Sequence, residues 1–174
     1  MEQIKWFDRK FNFAFEQNIF PSIIERLSGT LLRLEYKQHL INPAILKNKI
    51  NNTWSILENV GHLIDLEPLW QGRFEDIRNG KEEMRPTDLQ NTATDLAKHN
   101  DHSFQELADK FKMVRAQTIS MIQGINEEII FKSALHPRLR TPMRTIDLFL
   151  FVAEHDDHHL ARITKISEII GSSI

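Results

Sequence analysis

Long stretches of this chain repeat apolar residues at intervals of three and four, and little interrupts them. Six glycines and six prolines are spread through 174 residues. Spacing of that kind places the apolar side chains on one face of a helix, whereas a half-buried strand would alternate with a period of two. No strand pattern competes anywhere in the chain. The first expected helix follows Pro21, a residue suited to the first helical position, and carries Ile23, Ile24, Leu27, Leu31 and Leu34 along one side to about Leu40. The segment before it, "FNFAFEQNIF", reads as an arm docked onto the bundle.

A second helix starts at Ser55-Ile56-Leu57-Glu58, where the hydroxyl can accept from a free backbone N–H while the glutamate reaches back. It runs to about Arg78 before Asn79-Gly80, with an expected kink at Pro68. Ser103-Phe104-Gln105-Glu106 repeats the signature for a third helix, through Leu107, Phe111, Val114 and Ile122 to a stop near Gly124. The fourth begins near Thr145, with Asp147 at the positive end of its dipole, and runs to Gly171. At ~1.5 Å per residue it is roughly 39 Å long. Two connections, about 79–102 and 124–144, exceed an ordinary bundle turn, and long ordered loops on a rigid scaffold often carry binding functions. With no repeat, low-complexity tract or linker, residues 1–174 are expected to form one domain around one core.

The balance of charge narrows the partners. Lys and Arg number 22 against 24 Asp and Glu, a net charge of −2, so no broad attraction for a phosphate backbone is expected and nucleic acid is not an expected partner. The longest apolar run, Leu148 to Ala153, is far below the ~20 residues that span a bilayer, so no membrane partner is expected. "MEQIKWFDRKFNF" has charges in every turn and does not read as a secretory signal. The expected location is cytoplasmic. There is no cysteine, which leaves His, Asp and Glu as ligands for any metal.

The stretch "AEHDDHHLAR", residues 153–162, is where chemistry concentrates. Residues four apart on a helix sit one above the other, so His155 and His159 can address one ion, while His158 and His159 diverge by about 100° and cannot easily share it. Leu148, Phe151 and Val152 lie on the His155 side, which points the pair inward. His62, on the otherwise apolar second helix, is the best third ligand, with Leu66 and Leu69 on its side and Gly61 permitting close contact. Asp65 and Glu58 lie near the same face, where each would orient an imidazole, ligate, or accept a proton. Three neutral imidazoles leave a divalent ion an open position, the arrangement of a catalytic rather than a closed structural site. Zn or Ni suits nitrogen donors best, and Fe, Mn or Co is compatible. The competing reading is a hydrogen-bonded core histidine at 62 and a solvated face at "EHDDHH". Repeated Glu-x-x-His pairs, HExxH, G-x-S-x-G and GxxxxGK[ST] are all absent, which removes di-iron, zincin, serine-hydrolase and P-loop readings.

Three stretches, "WSILENVGHLIDLEPLW" with the following Arg73, "KHNDHSFQEL", and "HPRLRTPMRTIDLFLFVAEHDDHHLARI", carry a resemblance that spans about Arg33 to Ile166. The chain resembles the DinB/YfiT-like superfamily of metal-binding four-helix bundles, in its DinB-like branch. The family pattern of one His on the second helix and an i, i+4 pair near the end maps to His62, His155 and His159. To the all-α four-helix bundle with two long crossover loops expected from periodicity, the resemblance adds an up-down arrangement and frequent assembly as a homodimer. It also implies metal-dependent chemistry on a small-molecule substrate: transfer of a low-molecular-weight thiol, thiol-dependent isomerisation, or hydrolysis. Relatives often have Gln shortly after the last ligand, where this chain has Arg162.

The expected function is therefore a metal-dependent transferase or hydrolase in which Asp65 or Glu58 helps to move a proton and Arg73 and Arg162 bind an anionic group. Arg73 lies eleven residues after His62 and is nearly aligned with it. The alternative is a noncatalytic metal-binding or dimerisation module. His136 in "HPRL" is a loop residue that could reach the cavity, while His39, His99 and His102 have no interpretable partners.

Overall fold

In the computed structural model, which describes residues 2–13 and 16–171, six α-helices and one small hairpin follow in chain order. The helices are α1 (Phe20–Leu40), α2 (Ile56–Arg78), α3 (Thr92–Leu96), α4 (Phe104–Ile122), α5 (Glu127–Phe131) and α6 (Thr145–Gly171). Strands β1 (Ser133–Leu135) and β2 (Pro142–Arg144) lie between α5 and α6. Helices α1, α2, α4 and α6 form the four-helix bundle, and none of the helices described is long and apolar enough to cross a membrane.

The starts of these helices follow from local chemistry. Both capping boxes form: Ser55 Oγ accepts from Glu58 N while Glu58 Oε2 accepts from Ser55 N at 2.8 Å, and Ser103 and Glu106 repeat the exchange. Helix α1 starts at Phe20, one residue before Pro21, because Asn18 Oδ1 accepts from the Phe20 N–H at 3.1 Å. At the head of α6, Asp147 accepts from the Arg144 backbone N–H at 3.0 Å and from its guanidinium at 2.7 Å. Helix α2 continues through Pro68 to Arg78. Of the arm expected before α1, Phe11 and Phe13 pack on the core together with Trp6 upstream, while Ala14 and Phe15 lie outside the described residues.

The core divides into two apolar clusters, one at each end of the bundle. One unites Phe20, Ile23 and Leu27 from the start of α1 with Trp70 and Phe74 near the end of α2, Ile122 at the end of α4 and Leu148 to Val152 at the start of α6. The other unites Leu34, Val60, Leu63, Leu107, Phe111, Leu160 and Ile163 from the opposite ends of the same helices. It follows that α2 and α4 run parallel, and that α1 and α6 run parallel in the opposite sense. The principal packing is of α1 and of α2 on both α4 and α6, which sets α1 opposite α2 and α4 opposite α6. Of the two long connections, only residues 79–103 cross the bundle, because they must return along a helix whose 23 residues rise roughly 34 Å. Residues 123–144 turn within one end.

That second connection contains the hairpin that periodicity does not reveal. Ala134 pairs with Met143 at its centre, both side chains entering the core, and Glu83 of the crossover adds a parallel bridge to Leu135. Strands of three residues are too short to display a period of two.

Between the apolar clusters runs a buried polar layer. Arg115 donates to Glu67 at 2.5 Å and to Asp156 at 2.7 Å, and Thr30 and Thr118 donate to the same carboxylates. Burial raises the Glu67 pKa even beside Arg115. Such a network adds little net stability, but deleting one member leaves a buried charge without a partner.

Candidate metal centre

The ten residues of "AEHDDHHLAR" divide their side chains by helical angle. Asp156 turns inward to Arg115, Asp157 turns outward to Arg26 and Arg33, and His155 and His159 face α2. There they meet His62. Each of the three buried imidazoles offers a nitrogen within 4.8 Å of the other two, and among the described residues this is the one group of His, Asp or Glu so disposed. His158 is left out of the triad, as its helical angle requires. Its Nδ1 lies 3.0 Å from Gln3 Nε2.

The surroundings select which nitrogens face the centre. His159 Nδ1 lies 2.9 Å from Asn59 Oδ1, and Asn59 Nδ2 donates to the Ser55 carbonyl at 2.7 Å, so the amide oxygen must be the atom turned to the ring. His159 Nδ1 is then the protonated nitrogen and Nε2 keeps its lone pair. His62 Nδ1 lies 3.0 Å from Thr94 Oγ1, whose own hydroxyl donates to Asp65 Oδ2 at 2.7 Å. The Thr94 oxygen therefore accepts from His62, and again Nε2 is freed. His155 has no hydrogen-bond partner among the described residues, and its Nδ1 is buried. A buried imidazole left in that state is costly unless an ion takes one nitrogen. Burial lowers the His62 pKa to about 4 and holds His155 and His159 well below their ordinary value. All three are neutral donors at neutral pH, so the residues fit a divalent ion.

Other expected residues separate. Asp65 does not line the cavity. Its Oδ2 accepts from Thr94 and from His99 Nε2 at 2.8 Å, and these bonds outweigh burial to hold its carboxyl below the usual range. It acts on His62 through Thr94 rather than directly. His99, without an interpretable partner in the sequence, is thus part of the support. The close contact that Gly61 permits is with this loop imidazole, since an added Cβ would lie 2.1 Å from His99 Cγ. Glu58 is held by its capping box and by Lys49 at 2.7 Å. It is directed away from the cavity, because the cap requires its carboxylate at the helix start.

Arg73, Arg162 and His136 all line the cavity, which has a volume of about 190 Å³. Among the other lining residues that helical spacing did not single out are Trp6, Trp54, Phe7 and Arg138, with Asp88 an acid in the same lining. Trp6 stands edge-on to His155 with ring centroids 4.9 Å apart, and Trp54 lies 4.6 Å from His62. Both lie outside the bundle helices, so periodicity gives no signal for them. The cavity can hold a small molecule against the three imidazoles, with cationic groups on its walls and aromatic rings limiting water.

A four-helix bundle in which an i, i+4 histidine pair on the last helix meets one histidine of the second defines a class of helical proteins built around a candidate metal centre. The chain belongs to the DinB superfamily, whose profile matches residues 13–163. No curated protein sequence matches it. Among solved structures it is similar to YfiT from Bacillus subtilis, described as a probable metal-dependent hydrolase with an unusual four-helix bundle topology. The two share 17% identity, 94% of each chain is covered, and the TM-score is 0.79. It is also similar to a mycothiol-dependent maleylpyruvate isomerase, with 8% identity over 81% of this chain and 59% of the other and a TM-score of 0.64. A third similar structure is the colibactin self-resistance protein ClbS in complex with a double-stranded DNA, with 16% identity, 84% and 93% coverage and a TM-score of 0.62.

Proposed function

We propose that this chain is a metal-dependent enzyme that uses His62, His155 and His159 to hold a divalent ion, Zn or Ni by preference, and acts on a small molecule. The observation that carries the reading is the convergence of three neutral imidazoles in one cavity, two of them with the outer nitrogen engaged and the inner one free. A bound divalent ion supplies a Lewis acid that lowers the proton affinity of a water or a small thiol. The protein itself does the rest. Asn59 and Thr94 fix the imidazole orientations, Asp65 and His99 hold Thr94 in place, and Trp6 and Trp54 close the sides of the cavity. Arg73 and Arg162 provide positive charge for an anionic group on the substrate.

YfiT and the mycothiol-dependent isomerase, by their descriptions, support hydrolysis or thiol-dependent chemistry on small molecules. A noncatalytic metal-binding module is the second reading, favoured by the extent to which the three imidazoles are buried. ClbS bound to DNA is a property of that protein, and the net charge of −2 here argues for a small-molecule substrate instead. Elemental analysis of gently purified protein, with His62→Ala in parallel, tests the metal. Assays with thiols plus electrophiles, and with small esters and amides, then separate the readings. Turnover that needs metal and disappears in His155→Ala supports the enzyme, and stoichiometric metal without turnover supports the module.

A further inference from the structure

Arg73, His136 and Arg138, which all line the cavity, carry hydrogen-bond donors that find no acceptor among the described residues. Arg73 is 1% exposed, yet its Nη2 has no hydrogen-bond partner among the described residues. Its Nε donates to the Arg85 carbonyl at 3.1 Å, and its Nη1 lies 3.1 Å from His136 Nε2. The His136 contact is itself mismatched. His136 Nδ1 receives the backbone N–H groups of Arg138 and Leu139 at 3.2 and 3.1 Å, so Nδ1 is the unprotonated nitrogen. Burial, with the charges of Arg73 and Arg138, lowers this imidazole's pKa to about 3, and the neutral ring then carries its single proton on Nε2. Donor therefore faces donor.

Arg138 repeats the pattern from the loop side. Its Nη2 is buried without a partner among the described residues, and its guanidinium lies over the Phe7 ring. Burial and the Arg138 charge together lower the Arg73 pKa to about 10, so both guanidiniums stay charged at neutral pH. Asp76, which offsets part of this, is already held by Arg85 at 2.9 Å and by Lys81 at 2.8 Å. Buried guanidinium nitrogens without acceptors are costly unless a ligand supplies them.

We propose that Arg73, Arg138 and the Nε2–H of His136 form an oxyanion subsite for the carboxylate of a small substrate, in the same cavity as the three histidines. The planar guanidinium fork matches two coplanar carboxylate oxygens. The aromatic walls accept the carbon skeleton that connects the carboxylate to the reacting group. The subsite deepens the enzyme reading and, as a substrate site, rests on it.

The test is calorimetric titration of the full-length protein, metal-free and Zn-loaded, with malonate, succinate, inorganic phosphate and uncharged malonamide. The expected result is binding of the dicarboxylates and none of malonamide. Arg138→Gln should weaken the dicarboxylates about tenfold or more, as loss of a charged hydrogen bond does, with Zn stoichiometry unchanged. Arg73→Lys should do the same, and the less buried Arg138 keeps the test usable if the Arg73 variant folds poorly. Zn uptake without dicarboxylate binding overturns the subsite and leaves the metal centre standing. Dicarboxylate binding that depends on Arg138 in a protein that takes up no metal upholds the subsite and overturns the metal reading. Dicarboxylate affinity unchanged in Arg138→Gln, or tighter binding of phosphate than of either dicarboxylate, overturns the proposal.

Discussion

Asn59 Oδ1 stands 2.9 Å from His159 Nδ1, and the same amide is fixed by its own bond to the Ser55 carbonyl at 2.7 Å. One residue of α2 thereby ties the helix start to the orientation of a ring on α6. Asn59→Ala should weaken Zn binding by about 10–100-fold, the usual effect of removing an outer partner of a ligating imidazole. Competition against a chromophoric chelator measures it. Unchanged affinity would mean that packing alone orients His159.

Asp65 and Glu58 occupy the same face of α2 but should behave differently. Asp65→Ala removes the acceptor shared by Thr94 and His99 and so frees the support behind His62. Lower metal affinity is expected. Glu58→Ala removes one half of the capping box and should cost about 1 kcal/mol of stability, with metal affinity retained. Urea denaturation beside a metal titration distinguishes the two variants.

Gly61→Ala places a methyl group where the His99 ring lies, at 2.1 Å from Cγ. Overpacking of this kind costs about 1–3 kcal/mol. The imidazole must leave Asp65, and residues 92–101 should lose their hold on α2. Hydrogen exchange should show faster opening there, with protection of α4 and α6 largely kept. Unaltered exchange in that segment would count against the role of His99.

Acid should destabilise the metal-free protein well above the carboxylate range. Burial lowers the folded-state pKa of His62 to about 4 and of His136 to about 3, and holds His155 and His159 well below the ordinary value. A histidine depressed in this way contributes stability that is present above its unfolded pKa of about 6.5 and lost as pH falls toward its folded value. Each costs up to about 1.4 kcal/mol per pH unit over that window. Urea midpoints should be nearly level from pH 8 to 7 and fall steeply from 6.5 to 4.5. His62→Asn should reduce the slope, and a slope unchanged by it would contradict a neutral buried ring.

Helix boundaries were legible because their causes lie within a turn or two. Ser55 with Glu58 and Ser103 with Glu106 cap in sequence as they cap in space. The β1–β2 hairpin was not legible, since its three-residue strands show no period and owe their place to Ala134 and Met143 reaching the core. Trp6 and Trp54 were missed for a related reason. Each sits outside the four long helices and reaches the cavity only through the packed path of the chain.

Local sequence alone sets the four long helices and puts His155 and His159 on a shared face, because 3.6 residues per turn settles the angle between residues four apart. Helix packing brought His62 to that pair. It also decided that the crossover brings Thr94 and His99 to α2, and that Arg73, Arg138 and His136 gather their donors in one cavity. The hydrogen bonds among these groups across elements join residues 29 to 63 positions apart. The contacts of Thr94 and His99 exist because α2 and α4 run parallel, which forces residues 79–103 back across the bundle, a constraint imposed by packing that no local pattern encodes.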